Sequence, residues 1–180
     1  MKEEIEVTRI LDHPGIIKTY DSFRKNGRLY VVQEYVDGSN LCSMLEYRNK
    51  MPEEAALELL FKLAKALRHM HRLKVFHRDL KLENIIVTDK GEVKLVDFGL
   101  CVYNPYDIKF KGKCGSYHSP ESATDLYNHL GPSDIYAFGV IAFMVLTGEW
   151  PFKNGQVTNP DFDVPREVCE PVRWLITDCL

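Results

Sequence analysis

Two short polar stretches lie beside strongly apolar segments in the middle of the chain. HRDLKLEN, residues 77–84, stands between LKVF and IIV, and DFG, residues 97–99, begins thirteen positions after its asparagine. Charged residues are rarely buried unless they are paired. An aspartate can accept a proton, and carboxylate and amide oxygens are the ligands that a hard cation such as Mg²⁺ prefers. These stretches therefore hold residue types that do chemistry, placed between segments that look buried.

The order of these and other motifs resembles the protein kinase family. HRDLKLEN is similar to the catalytic loop of that family, and it is followed by DFG and then by SPE, residues 119–121. EIEVTRILDHPGI is similar to the regulatory helix, LYVVQEYVDGSNL to the strand and hinge that meet adenine, and DIYAFGVIAFMVLTGEWPF to the central helix of the C-lobe. The resemblance covers essentially the whole chain, and so many motifs in the right order are hard to explain by chance.

The resemblance implies a serine/threonine protein kinase that transfers the γ-phosphoryl group of ATP to protein hydroxyls. In this family the protein mainly positions groups and neutralises charge. Asp79 would orient the substrate hydroxyl and accept its proton, and Lys81 would lie beside the phosphoryl group. Asn84 and Asp97 would hold Mg²⁺. The Asp-x-Lys spacing resembles serine/threonine kinases more than tyrosine kinases, and LDHPGIIKTYDSF is most like the calmodulin-dependent group. The alternative is that these are paired surface charges on a hairpin.

The nucleotide-binding residues also follow from the resemblance. Glu34 and Val36 match the hinge, where backbone groups bind adenine, and Gln33 matches the gatekeeper position before it. Ile86 matches the residue under the adenine ring, and Asp97 would reach the nucleotide through the metal. Glu4 matches the glutamate of the regulatory helix.

The sequence departs from the family in its nucleotide-binding parts. The 180 residues begin at the predicted regulatory helix, and none of the eleven glycines is two residues from another, so no G-x-G motif is present. No V-A-I-K-like lysine is available for Glu4. We therefore expect a divergent or truncated kinase of low activity. The alternative is a catalytically weak, kinase-like scaffold or regulatory binding module.

Composition limits the other classes of function. Hydrophobic residues make up 45% and charged residues 27% of 180 residues, which is typical of one globular domain. The net charge of −3 gives no reason to expect a nucleic acid or an anionic membrane as partner. Five scattered cysteines without a C-x-x-C pair favour free thiols in a reducing, cytoplasmic compartment. The longest apolar stretch, around residues 140–146, looks too short to span a bilayer.

The predicted fold class is α+β, with a partial N-lobe at residues 1–36 and a mostly helical C-lobe at 37–180. The N-lobe would hold the regulatory helix, at 3–11, and two strands joined at RKNG. In the C-lobe, periodicity and turn residues predict a short helix at LCSMLEYRNK, a long one from MPEEAA to MHRL, a hairpin around DKG and a buried helix from SDIY onward. We expect Ile5 and Val7 to be exposed and to offer a site for a regulatory protein.

The loop after DFG lacks the usual phosphorylation site. Between Phe98 and Gly115 the only hydroxyl side chains are Tyr103 and Tyr106, and there is no Ser or Thr, so Ser116 is the first possible Ser/Thr acceptor. Arg78 matches the residue that in many kinases of the family binds the phosphorylated activation loop. The alternative is that it pairs with a nearby carboxylate or carbonyl.

Overall fold

The computed structural model describes residues 7–103, 117–123, 130–152 and 164–180, and it leaves out the side chains of residues 122 and 123. Residues 7–10 are helical, whereas the predictions for Glu4, Ile5 and Ser116 lie outside the described residues. In the described ranges four further α-helices follow: α1 at Leu41–Arg48, α2 at Glu53–Arg72, α3 at Leu130–Thr147 and α4 at Glu170–Cys179. The strands are β1 at Thr19–Lys25, β2 at Arg28–Gln33, β3 at Gly38–Asn40, β4 at Val75–Phe76, β5 at Ile85–Thr88, β6 at Val93–Leu95 and β7 at Val102–Tyr103. The predicted α+β class is confirmed.

The first two strands form the hairpin that the RKNG turn predicts. β1 and β2 are antiparallel, and Lys25 pairs with Arg28 across the turn. The two turn residues, Asn26 and Gly27, have φ values of 52° and 73°, which is the left-handed conformation that a tight hairpin turn requires. Most residues of the hairpin are exposed, so it lies at the surface of the fold.

A second sheet carries the two polar stretches. It has the order β3-β5-β6, and its β5–β6 pair is the predicted hairpin around DKG. Ile16 forms a parallel bridge with Leu95, and Gly15 O accepts a hydrogen bond from Leu95 N–H at 2.9 Å. The segment before β1 is thereby tied to the edge of this sheet.

The long predicted helix is α2, and one of its faces forms the centre of the core. Pro52 precedes it, and Glu53 and Glu54 lie in its first turn, where the helix dipole favours anions. Helical spacing predicts one apolar stripe on this helix, made of Leu59, Leu60, Leu63, Ala64, Leu67 and Met70. That stripe is largely confirmed, but Ala64 is exposed and Ala66 is buried instead. The buried residues of α2 are Ala56, Leu59, Leu60, Leu63, Ala66, Leu67 and Met70.

The apolar helix α3 is longer than the sequence predicts. By length and composition Leu130–Thr147 could cross a membrane, but 72% of that span is buried inside the fold. A helix that is apolar on every side is typical of the centre of a core. The prediction that this apolar segment is too short to span a bilayer was therefore wrong, although the helix is mostly buried inside the fold.

One prediction about the N-terminal surface was wrong. Val7 is only 1% exposed and belongs to the main core cluster, together with Leu11 and Ile16. The exposed apolar surface of this region lies instead on the β1–β2 hairpin, where Tyr20, Phe23 and Tyr30 face solvent. The boundary at residue 36 between two lobes stays a prediction.

Candidate active site

The segment from residue 77 to 84 is held by one buried carboxylate of α3. Asp134, which is 1% exposed, accepts hydrogen bonds from the backbone N–H groups of His77 and Arg78, each at 2.9 Å. Its Oδ2 also lies 2.8 Å from His71 Nε2 at the end of α2. Arg78 has a φ of 64°, a conformation that is strained for a residue with a side chain. Asp134 therefore fixes a tight turn immediately before Asp79.

Sequence reasoning missed Asp134. The sequence does hold a signal for it, because Asp134 is the one charged residue in the apolar run from Ser133 to Thr147. Burying a carboxylate is costly unless it is hydrogen-bonded or paired. An acid inside an apolar helix therefore indicates a structural or functional partner elsewhere in the chain.

Three of the predicted site residues form one hydrogen-bonded cluster. Lys81 Nζ lies 2.7 Å from Asp79 Oδ2, and Asn84 Nδ2 donates to the same oxygen at 3.1 Å and to Asp79 O at 2.8 Å. The hydrogen bond to Asp79 raises the pKa of Lys81, more than its partial burial lowers it. The cluster thus contains an oriented carboxylate beside a stable positive charge.

The fourth predicted residue, Asp97, is brought next to this cluster by the β5–β6 hairpin. Ile85 pairs with Leu95, and Val96 N–H donates to Asn84 O at 2.9 Å, so Asn84 and Asp97 lie at the same end of the hairpin. Asp97 has a φ of 61°, and its Oδ1 accepts Gly99 N–H at 3.2 Å.

The next residue after Asp97 anchors the turn. Phe98 is 1% exposed, and its ring lies 5.1 Å from that of His77. The side chain of Phe98 is therefore buried in the core while the preceding carboxylate stays exposed.

The donor set at this end of the hairpin fits Mg²⁺ held together with phosphate. Both amide hydrogen bonds of Asn84 come from Nδ2, which leaves its Oδ1 as an acceptor beside the exposed carboxylate of Asp97. Mg²⁺ is commonly held by one or two such oxygens with water and substrate phosphates. Within the described ranges there is no group of three or more His, Cys, Asp or Glu side chains that could hold a metal without such help.

His77 packs beneath the cluster in its neutral form. Its Nδ1 accepts Asp79 N–H at 3.3 Å, and its Nε2 donates to Val96 O at 3.2 Å. A neutral imidazole has one donor and one acceptor nitrogen, so this pairing uses both. Burial lowers the pKa of His77, which the nearby charge of Asp134 opposes.

The predicted adenine-binding residues lie on or beside the same sheet. Ile86 pairs with Lys94 across β5 and β6, and the Lys94 ammonium lies 2.7 Å from Glu34 Oε1. Burial raises the pKa of Glu34, but the hydrogen bonds from Lys94 and from Lys18 N–H outweigh it and lower the pKa overall. This pair ties the hinge segment to the sheet that carries Ile86.

The backbone groups of the hinge segment differ in which of them already form hydrogen bonds. Glu34 N–H already donates to Lys18 O at 2.8 Å, so its carbonyl is the group that could meet a base. For Val36 N–H the described residues provide no backbone acceptor. Val36 and Ile86 are both half-buried, whereas Gln33 is exposed and donates to Thr19 Oγ1 at 3.3 Å.

Comparisons with known proteins agree on one family. The sequence model of the protein kinase domain matches residues 1–176. The chain is 34% identical over 189 residues to an Aurora kinase of Saccharomyces cerevisiae, covering 99% of this chain and 51% of that protein. It is 35% identical over 156 residues to Aurora/IPL1-related protein kinase 2 of Caenorhabditis elegans, covering 86% of this chain and 50% of the relative.

A more distant relative is the serine/threonine-protein kinase GIN4 of Saccharomyces cerevisiae, 29% identical over 194 residues. That match covers 98% of this chain and 17% of GIN4. The chain thus spans about half or less of the length of these relatives. The likeness to the calmodulin-dependent group stays a prediction.

Proposed function

Because this chain belongs to the protein kinase family, we propose that it carries the catalytic residues of a serine/threonine protein kinase. The substrates would be ATP and a protein with Ser or Thr hydroxyls, as in the relatives named above as kinases. The observation that carries the proposal is the cluster of Asp79, Lys81 and Asn84, fixed from below by Asp134. The cytoplasm is the proposed location.

Asp79 is proposed as the residue that receives the hydroxyl proton. One of its carboxylate oxygens binds Lys81 and Asn84, which leaves the other to accept from a substrate Ser or Thr. Lys81 would neutralise negative charge that develops on the transferred group. Asn84 Oδ1 and Asp97 would hold Mg²⁺, which neutralises phosphate charge when bound.

The hinge segment is proposed to hold the adenine ring. Glu34 O would accept from the adenine amino group, Val36 N–H would donate to a ring nitrogen, and Ile86 would pack beneath the ring. The Glu34–Lys94 ion pair supports this, since it fixes the hinge relative to the strand that carries Ile86. Preorganised backbone groups orient a ligand without a cost in ordering them.

The test is a phosphorylation assay with a pair of aspartate variants. Asp79→Ala should lower kcat by roughly 10²-fold or more, the scale of a positioned base. Asp89→Ala makes the same chemical change at an exposed position in the β5–β6 turn and should leave kcat unchanged. Equal activity of the two variants would mean that a contaminating kinase or another site performs the reaction.

A second candidate function, a kinase-like binding module, rests on the exposed β1–β2 hairpin. Phe23 and Tyr30 stack with their ring centres 5.2 Å apart, and each is more than 40% exposed. Exposed aromatic pairs of this kind are common at protein interfaces. A regulatory protein that covers them would still bind the Asp79→Ala variant, whereas Phe23→Ser with Tyr30→Ser would weaken its binding.

A further inference from the structure

A basic pocket lies on the side of α2, in a part of the chain that the proposed reaction does not use. It has a volume of about 460 Å³ and is lined by His13, Lys65, Arg68, His69, Arg72 and Leu73. The four α2 residues from Lys65 to Arg72 recur at i, i+3, i+4 and i+7, so they share one face of the helix. Five of the six lining residues can carry positive charge, and none can carry negative charge.

The positive charges of this pocket are not neutralised within the described part of the chain. No Asp or Glu there forms an ion pair with Lys65, Arg68 or Arg72. Like charges three or four residues apart destabilise a helix. Lys65 Nζ lies 5.3 Å from the centre of the Phe61 ring, a contact that leaves its charge in place. The dipole of α2 favours Arg72 in the last turn, but it does not account for Lys65 and Arg68.

Two histidines supply directed hydrogen-bonding groups. His13 Nδ1 accepts Gly15 N–H at 3.0 Å, so the proton of the neutral ring lies on Nε2. Burial, with the charges of His69, Lys65 and Lys94, lowers the pKa of His13. The ring of His69 lies 5.2 Å from that of His13 at an angle of 31°, and its Nε2 is buried without a hydrogen-bond partner among the described residues. A buried polar atom without a partner is costly, and a bound ligand would relieve that cost.

We propose that this pocket binds a small anion that carries two or more phosphate groups. Arginines bind phosphate through parallel hydrogen bonds, and the histidine Nε2 atoms would complete the site. The volume lies in the range of small-molecule pockets and exceeds that of one phosphate. The site is separate from the Asp79 cluster, and the proposal does not depend on the proposed kinase activity.

The test is a titration of the chain with inorganic pyrophosphate in EDTA, which removes the Mg²⁺ that phosphates would need at Asn84 and Asp97. Imidazole signals in proton–carbon NMR spectra report the binding place. The signals of His13 and His69, assigned with His13→Gln and His69→Gln, should shift and saturate together. The signal of His77 should not move. Shifts at His77 without shifts at His13 and His69 would overturn the proposal.

Calorimetry with matched variants measures what the arginines contribute. Arg68→Gln with Arg72→Gln should weaken pyrophosphate binding by about tenfold or more, since each charge-assisted hydrogen bond is strong. Arg48→Gln with Arg166→Gln is the control, because it removes the same two charges at exposed positions outside the pocket. An equal loss in the control would mean that only net charge matters, and it would refute the site.

Two further measurements separate a ligand site from the alternatives. Lys65→Gln, a substitution at an exposed position, should also weaken pyrophosphate binding. Neither Lys65→Gln nor Arg68→Gln should lower the unfolding temperature, because neither change leaves a carboxylate without its partner. A clear drop in that temperature would indicate a structural role and contradict the proposal.

A peptide with two adjacent phosphoserines is the competing probe. If it bound tenfold more tightly than pyrophosphate, the assignment to a small ligand would be wrong.

Discussion

The role of Asp134 can be tested by replacing it with asparagine, which keeps the shape and removes the charge. In the structure its two oxygens accept from His77 N–H, Arg78 N–H and His71 Nε2, at 2.8–2.9 Å. The asparagine side chain would present an NH₂ group in place of one oxygen, so at least one buried donor would face another donor.

The magnitude follows from these contacts. Breaking a buried, hydrogen-bonded charge typically costs about 3–5 kcal/mol of unfolding free energy, because its partners are left unsatisfied. In a domain of this size 1 kcal/mol corresponds to about 2–4 °C, so the midpoint of thermal unfolding should fall by about 6–20 °C. Water that reaches His71, whose side chain is 21% exposed, favours the lower half of that range.

The assay is thermal unfolding followed by circular dichroism, with Asp178→Asn as control. Asp178 is exposed near the end of α4, so the same change there should alter the unfolding free energy by less than about 0.5 kcal/mol. Hydrogen exchange at the amides of His77 and Arg78 should accelerate in Asp134→Asn and stay slow in Asp178→Asn. If both variants behave alike, Asp134 does not hold the segment before Asp79.

Three further predictions concern the nucleotide, pH and local stability. Since these 180 residues contain no G-x-G motif, we expect them to bind ATP weakly and only with Mg²⁺, with a Kd on the order of 1 mM; low-micromolar binding in calorimetry without Mg²⁺ would contradict this. His77 is neutral in the fold and its pKa is lowered by burial, so the unfolded chain takes up its proton first, below about pH 6.5. Stability measured with urea should therefore fall between pH 7 and pH 5, by at most about 1.4 kcal/mol per pH unit for this group, and His77→Phe should show a shallower slope. An unchanged slope would assign the effect to another group. The amides of residues 19–33 should exchange hydrogen faster than those of Glu53–Arg72, because the hairpin is largely exposed and the helix forms the core. Equal, strong protection would indicate that a further element covers the hairpin.

The parts of the fold that sequence reasoning found are those with local signals. The NG turn predicts the β1–β2 hairpin, and the helical spacing of the leucines predicts α2. Val7 was expected to be exposed because these residues lack the strands that usually cover the regulatory helix, but it packs into the core cluster, with residues far along the chain. Helical periodicity placed Ala64 rather than Ala66 in the core because both lie at the edge of the apolar stripe, where packing decides.

The residues of the candidate site also fall into those that local motifs identify and one that they do not. Motif spacing identifies Asp79, Lys81, Asn84 and Asp97, and the structure places the first three in one cluster with Asp97 beside it. Asp134 bonds to residues 56–63 positions away, and no local pattern encodes a contact at that separation. Such contacts are set by the packing of whole helices.

The hydrogen bonds around the proposed catalytic residue come from α3 and from the residues next to the β5–β6 pair. Asp134 on α3 fixes the backbone before Asp79, and Val96 accepts from His77 and donates to Asn84. None of these hydrogen bonds involves the β1–β2 hairpin. The cluster is therefore built by the helical part and the β5–β6 pair. The hinge contacts the same sheet through the Glu34–Lys94 ion pair and through β3, which follows the hinge and pairs with β5. A partner on the exposed hairpin could thus move the adenine-binding segment and leave the proton-accepting cluster in place.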